Sequence, residues 1–178
     1  MRPVIIEDKT VLDGKLFQVK KRKLLFGKKK KIHYDVFRLP TVIVFPLTKH
    51  DEVYLTREYR YLHEKEITES IAGHVNAGET SIQAAIRELR EEGGIEAEQI
   101  EEFGRLEGGG SVVKSTVHFF LAEGLQFGVP DPEEDEEIHV FKIPLADAVR
   151  EVMEGKIRNS GTAVGLLMLS RIRKTKIL

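Results

Sequence analysis

Between Gly73 and Ile95 the chain sets Glu79, Glu88, Glu91 and Glu92 about Arg87, inside a stretch closed by glycines. No other segment restricts the fold as much. Thr80 or Ser81 suits a helix N-cap, and Gly93 with Gly94 suits the helix end. Between them Ile82, Ala85, Ile86 and Leu89 recur at helical spacing, which predicts a buried stripe. Glu88 stands four residues before Glu92 and three before Glu91, so all three glutamates share one side of that helix. Carboxylates this crowded repel one another, and hard divalent cations with oxygen ligands offset such repulsion. Arg87 is expected to hold one glutamate through a forked pair. Gly73 lets the backbone before the helix approach closely.

At Gly73, Glu79, Arg87, Glu88, Leu89, Glu91, Glu92, Gly94 and Ile95 the segment resembles the Nudix box at every position of its pattern. The resemblance implies an α/β (α+β) fold of the α/β/α sandwich type and a hydrolase that cleaves a nucleoside diphosphate linked to another moiety. It implies Mg²⁺, with Mn²⁺ as the other option. Outside the box, the chain resembles the nucleoside-diphosphate-sugar hydrolases that act on ADP-ribose and GDP-mannose. Arg57-Glu58-Tyr59-Arg60, Glu69-Ser70-Ile71-Ala72-Gly73, Phe120 to Leu125, Glu134 to Val140, and Gly155-Lys156-Ile157-Arg158-Asn159 with Thr162 carry that similarity. Glu107 to Ser111 contains no proline, and Ser70-Ile71 stands where a proline is common. The resemblance therefore reaches the nucleotide-sugar class rather than ADP-ribose in particular.

Residue roles follow from the resemblance. Glu88, Glu91, Glu92 and the Ala72 carbonyl are expected to hold the metal. Glu92 and Arg87 belong to the catalytic set, and Glu79 is read as a partner that either supports the metal ligands from behind or reaches the cation through water. The general base is sought in the acidic run, at Glu134 with Glu136 behind it. Arg60, Glu69 and Arg57 are expected to contact the substrate. The resemblance also implies a homodimer in which N-terminal strands cross between subunits. The alternative is a pyrophosphohydrolase acting on nucleoside triphosphates or RNA 5′ ends, for which the lysine-rich hairpin is the best feature.

With 178 residues the chain is one ordinary domain with a small appendage. We read residues 1–40 as an antiparallel β extension used in dimerisation, and 41–178 as the hydrolase domain. Val11 to Lys23 and Lys31 to Leu39 read as its strands, with a turn at Phe26-Gly27-Lys28. Val42 to Phe45 is apolar on both faces, as a central strand would be. Leu145 to Met153 and a segment opened by Ser160 or Thr162 read as helices. A net charge of −1 gives no global pull toward nucleic acid or membrane, so Lys20 to Lys23 and Lys28 to Lys31 are read as a solvated hairpin and nucleic acid as an unlikely partner. The cysteine count of 0 excludes disulfides and thiolate zinc sites, and it suits a cytoplasmic protein. No apolar run reaches the length of a membrane span, and Met1 to Glu7 is not expected to be a signal peptide.

Overall fold

The computed structural model describes residues 2–131 and 137–175. The chain divides into two compact units, Met1–Pro40 with Leu106–Val117, and Thr41–Arg105 with His118–Leu178.

The first unit is built on a three-stranded antiparallel meander. β1 (Val4–Asp13) pairs β2 (Phe17–Phe26), which pairs β3 (Lys29–Arg38). The strand break differs from the sequence expectation. Val11 to Lys23 is not one strand, because the Gly14 N–H donates to the Phe17 carbonyl at 2.9 Å and turns the chain there. The Phe26 to Lys28 turn forms as expected, with Gly27 at φ 60°. Lys28 to Lys31 at the turn are exposed, as a solvated hairpin requires, while some of the charges on β2 are partnered. Arg22 bridges Asp8 and Asp35, and both Lys20 and Arg22 lie over the Phe37 ring.

The second unit is a sheet between helices. β4 (Thr41–Pro46) lies between β9 (Val113–Phe127) and β7 (Ile71–His74), and β8 (Ile95–Gly108) pairs β9. A second sheet has the order β10 (His139–Pro144), β5 (Glu52–Arg60), β6 (Lys65–Glu69). The helices are α1 (Ser81–Glu91), α2 (Leu145–Met153) and α3 (Ser160–Thr175).

Strand alternation decides what each side of β4 meets. Val42 and Val44 pack in one cluster with Ile71, Ala84, Ala85, Leu89 and Phe120, which is the α1 side. Ile43 and Phe45 point the other way, against Gly161 and Gly165 of α3. Those two glycines leave no room for a side chain, since a Cβ at Gly165 would strike the Phe45 ring. Phe45 also meets Phe103 edge-on and Phe119, extending that second core. Each of these large side chains contributes about 1.5–3 kcal/mol on burial. The two-sided burial read from Val42 to Phe45 is thus the α/β/α sandwich.

Candidate active site

Helix α1 starts as its sequence specifies. Thr80 is the N-cap, its hydroxyl accepts from the Gln83 N–H, and the Gln83 side chain accepts from the Thr80 N–H at 2.9 Å. This reciprocal box satisfies two N–H groups the first turn would leave orphaned. At the other end the Gly94 N–H reaches the Arg90 carbonyl at 2.9 Å, with Gly94 at φ 58°.

The buried stripe keeps Ala85 and Leu89 from the predicted set but not Ile82 and Ile86. Ile82 is 43% and Ile86 51% exposed, while Ala84, Ala85 and Leu89 are buried together with Glu88 at 9% and Glu92 at 8%. The helix is rotated so that its acidic side, not its isoleucines, turns inward. The physical reason is Arg87, whose donors reach five acceptors. Nε and one terminal nitrogen grip both oxygens of Glu79 at 3.0 and 3.1 Å. The same terminal nitrogen reaches the His74 carbonyl at 3.0 Å. The other nitrogen donates to Glu88 at 2.6 Å and Glu91 at 3.0 Å. That set uses the whole guanidinium fork.

The bonds from Glu79, with those from Glu88 and Glu91, raise the Arg87 pKa well above its ordinary value, against partial burial. In return Arg87, helped by the Asn76 N–H, holds the Glu79 carboxyl below the usual carboxylate range. Glu79 is thus the glutamate that Arg87 holds through its forked pair, and it supports the cluster from behind Arg87.

Glu92 turns to the strand before the helix, where its carboxylate accepts from the Ala72 N–H at 3.1 Å. Ala72 sits opposite Ile43 in the antiparallel β4–β7 pair. In such a pair a residue's N–H and C=O point to the same side. The Ala72 carbonyl therefore faces away from β4, as its N–H does, toward the Glu92 side. Gly73 follows, and a Cβ there would run into the Glu88 carboxylate. Glycine is needed here for close approach rather than for an unusual φ.

Strand β5 brings a second arginine to this face. Arg60 donates from Nε to Glu69 at 3.1 Å and from a terminal nitrogen to Glu58 at 2.9 Å. Burial opposes its charge, but Glu69, then Glu58 and Glu92, outweigh that and raise its pKa. Glu69 is held on its other oxygen by the Asn159 side-chain amide at 2.8 Å. Arg57 does not join this group. It lies on the opposite face of β5, with its guanidinium 5.1 Å from the Phe141 ring centre. Tyr59 and Tyr61 are 60% and 77% exposed, so neither belongs to a core.

Glu134 and Glu136 lie outside the described residues. The chain leaves for that stretch from the end of α1, where the Asp131 N–H donates to the Glu91 carbonyl at 2.9 Å.

Two further residues were not predicted to act here. Asn159 caps α3 through its side-chain oxygen, which accepts from the Thr162 N–H at 2.9 Å, so Thr162 is inside the helix rather than at its start. Thr162 is buried, and its hydroxyl accepts from the Ser70 N–H at 2.9 Å. An Asn three residues before a buried Thr is the sequence signal that marks this cap.

The donors fit a hard divalent cation by chemistry and charge. Glu88, Glu91, Glu92 and the Ala72 carbonyl offer only oxygen, and Glu79, Glu88 and Glu91 are balanced by one guanidinium. Among the described residues no three carboxylate, imidazole or thiolate side chains converge on one point, because Arg87 and the Ala72 N–H hold them in ion pairs and hydrogen bonds.

This geometry accords with comparisons to known proteins. The chain is 27% identical over 175 residues to a methanol dehydrogenase activator of Bacillus methanolicus, covering 88% of this chain and 95% of that one. It is 28% identical over 174 residues to an ADP-ribose pyrophosphatase of Bacillus subtilis, covering 92% and 93%. The crystal structure of an ADP compounds hydrolase superposes with a TM-score of 0.86 at 24% identity, over 99% of this chain and 96% of that chain, and so shares its fold. Residues 37–160, which span β4, the Arg87 cluster and Arg60, match the NUDIX domain model, and the chain belongs to that family.

Proposed function

We propose that this protein hydrolyses the pyrophosphate bond of a nucleoside diphosphate sugar of the ADP-ribose or GDP-mannose type, releasing a nucleoside monophosphate and a sugar phosphate. The observation that carries this reading is the inward-turned carboxylate face of α1, organised by Arg87 beside the Arg60–Glu69 pair. The relative named ADP-ribose pyrophosphatase supports the substrate class, with nearly full coverage of both chains.

Glu88, Glu91, Glu92 and the Ala72 carbonyl would hold magnesium, with manganese as the substitute. When bound, a divalent cation neutralises pyrophosphate charge and makes a bound water more acidic. The residues' own part is positioning. Arg87, with every donor engaged, orients the glutamates and does not touch substrate. Arg60, held by Glu58 and Glu69, would offer its remaining N–H groups to the phosphates. Glu134, with Glu136 behind it, is our choice for the general base, supported by the anchoring of Asp131 on the Glu91 carbonyl. Arg57 is left outside this set, since it stacks on Phe141 across the strand.

We also read the protein as a homodimer built through its N-terminal strands. Val4, Ile5, Ile6, Val11 and Leu12 of β1 are all 44% or more exposed, leaving apolar side chains on both faces of the strand for a second copy to cover. Sedimentation equilibrium at micromolar concentration tests this, and a monomer would overturn it. Among the described residues no helix is long and apolar enough to cross a membrane. A cytoplasmic location is our reading, supported by the cysteine count of 0.

The function is tested by phosphate release from ADP-ribose and GDP-mannose in a coupled phosphatase assay with magnesium. Glu92→Gln keeps an oxygen for the Ala72 N–H but loses the charge. We expect it to fold and to lose at least about a hundredfold in kcat, since cation charge stabilisation is worth several kcal/mol. A wild-type rate in that variant, or turnover unchanged by chelator, refutes the metal role.

A further inference from the structure

A polar cavity of about 680 Å³ opens between β6 and the loop joining α2 to α3. Its size lies within the range of about 300–1,000 Å³ typical of small-molecule sites. Its chemistry is unusual for a nucleotide pocket. The charged side chains on its wall balance, with Lys65, Lys156 and Arg158 against Glu66, Glu69 and Glu154. No Phe, Tyr or Trp lines it, and the one ring among its lining residues is the small imidazole of His63 at the end away from Asn159; Ile67 is on the wall and Ile157 is buried. A nucleobase would want a ring to stack on, and a bare phosphate would want net positive charge. A charge-balanced wall of donors and acceptors suits an uncharged, hydroxyl-rich group.

The cavity also meets the candidate site at one residue. Glu69 lines it, and the same carboxylate is fixed on one oxygen by Arg60 and on the other by Asn159. Arg60 in turn lies in the field of Glu92. Arg60 therefore bonds the cavity residue Glu69 and feels the charge of Glu92 on the metal-binding face. Asn159 has both ends of its amide committed, donating to Glu69 and accepting from the Thr162 N–H. It ties the orientation of Glu69 to the start of α3.

We infer that this cavity receives the sugar of the substrate's leaving half, with Glu69 accepting its hydroxyl protons and Asn159 serving as a positioning residue for Glu69. The inference rests on the pyrophosphatase reading above and specifies which half of the substrate lies where.

Two measurements test it separately from that reading. The first compares ADP-ribose with the methyl ester of ADP, which has the same pyrophosphate but no sugar on the distal side. Asn159→Asp keeps an oxygen to cap α3 and replaces the donor facing Glu69 with a second carboxylate. The variant is expected to raise KM for ADP-ribose at least tenfold more than it raises KM for the methyl ester. Equal effects on both substrates, or none on either, would overturn the inference. The second needs no turnover and no variant. Ribose 5-phosphate is titrated into the wild-type protein, with inorganic phosphate as the control, and backbone amide shifts are followed by NMR. Shifts in residues 66–69 and 155–160 with the sugar phosphate alone support the assignment. Their absence sinks it even if pyrophosphate is cleaved. If those shifts appear in a protein that cleaves no nucleotide sugar, the pyrophosphatase reading fails and the leaving-half assignment falls with it, leaving only a sugar-phosphate site in the cavity.

Discussion

Gly73→Ala offers a sharp test of the site's construction, because it adds one methyl group where the Glu88 carboxylate already lies. Glu88 is 9% exposed and bonded to Arg87 at 2.6 Å, so it has little freedom to yield. If it rotates away, the charge-assisted bond is lost, about 1.5–3 kcal/mol. A displaced side chain held off its rotamer adds about 0.5–1.5 kcal/mol. The alanine returns about 0.4–1 kcal/mol by restricting the unfolded chain. The net loss is about 1–4 kcal/mol, which for a chain of this size lowers Tm by roughly 5–10 °C at the middle of that range. Activity should fall further than stability, since a displacement of about 1 Å in a positioning group can lower a rate about a hundredfold. Gly110→Ala is the control, because a Cβ there meets nothing within 4 Å and its backbone is unstrained. Thermal melts and kcat measured side by side decide the matter. A Gly73→Ala protein with wild-type Tm and kcat would show that the Glu88 position is not fixed as described.

Other outcomes follow from the same contacts. Arg87→Met in the presence of chelator should lose about 3–5 kcal/mol, because partly buried carboxylates are left unpaired; calorimetric Tm should recover with added magnesium by more than the wild type gains, and equal gains would count against a cation at these glutamates. Glu79 has a folded-state pKa below its unfolded value, so its stabilisation is full above the ordinary carboxylate range and drains as pH falls through it. Urea midpoints should therefore drop below about pH 5, and the drop should be smaller in Glu79→Gln. Thr162→Val leaves the buried Ser70 N–H without its acceptor and should lose about 1–3 kcal/mol in urea unfolding, whereas Thr162→Ser should stay close to wild type.

Much of the site was legible because it is local. Arg87 reaches Glu91, four residues on, because the segment is helical, and the Thr80 cap with Gly94 fixes where that helix starts and stops. The two-sided burial of β4 was equally plain, since a run of four large apolar residues has no polar face to give to water. Rotation of α1 was not legible. Ile82 and Ile86 satisfy the apolar period as well as Leu89 does, and periodicity alone gives no weight to a buried ion-pair network. The same holds for Arg57 and Arg60, which read alike in sequence and stand on opposite faces of one strand.

The spacing from Gly73 to Ile95 determined the capped helix, its carboxylate side and the arginine that serves it, because contacts three and four residues apart are set by helix geometry alone. Only the tertiary structure decided that the acidic side faces inward, that Glu92 bonds Ala72, and that Asn159 reaches Glu69. Those contacts join residues 20 and 90 positions apart. Such distances carry no local period, and they close only when β4 to β7, α1 and α3 pack around a common core.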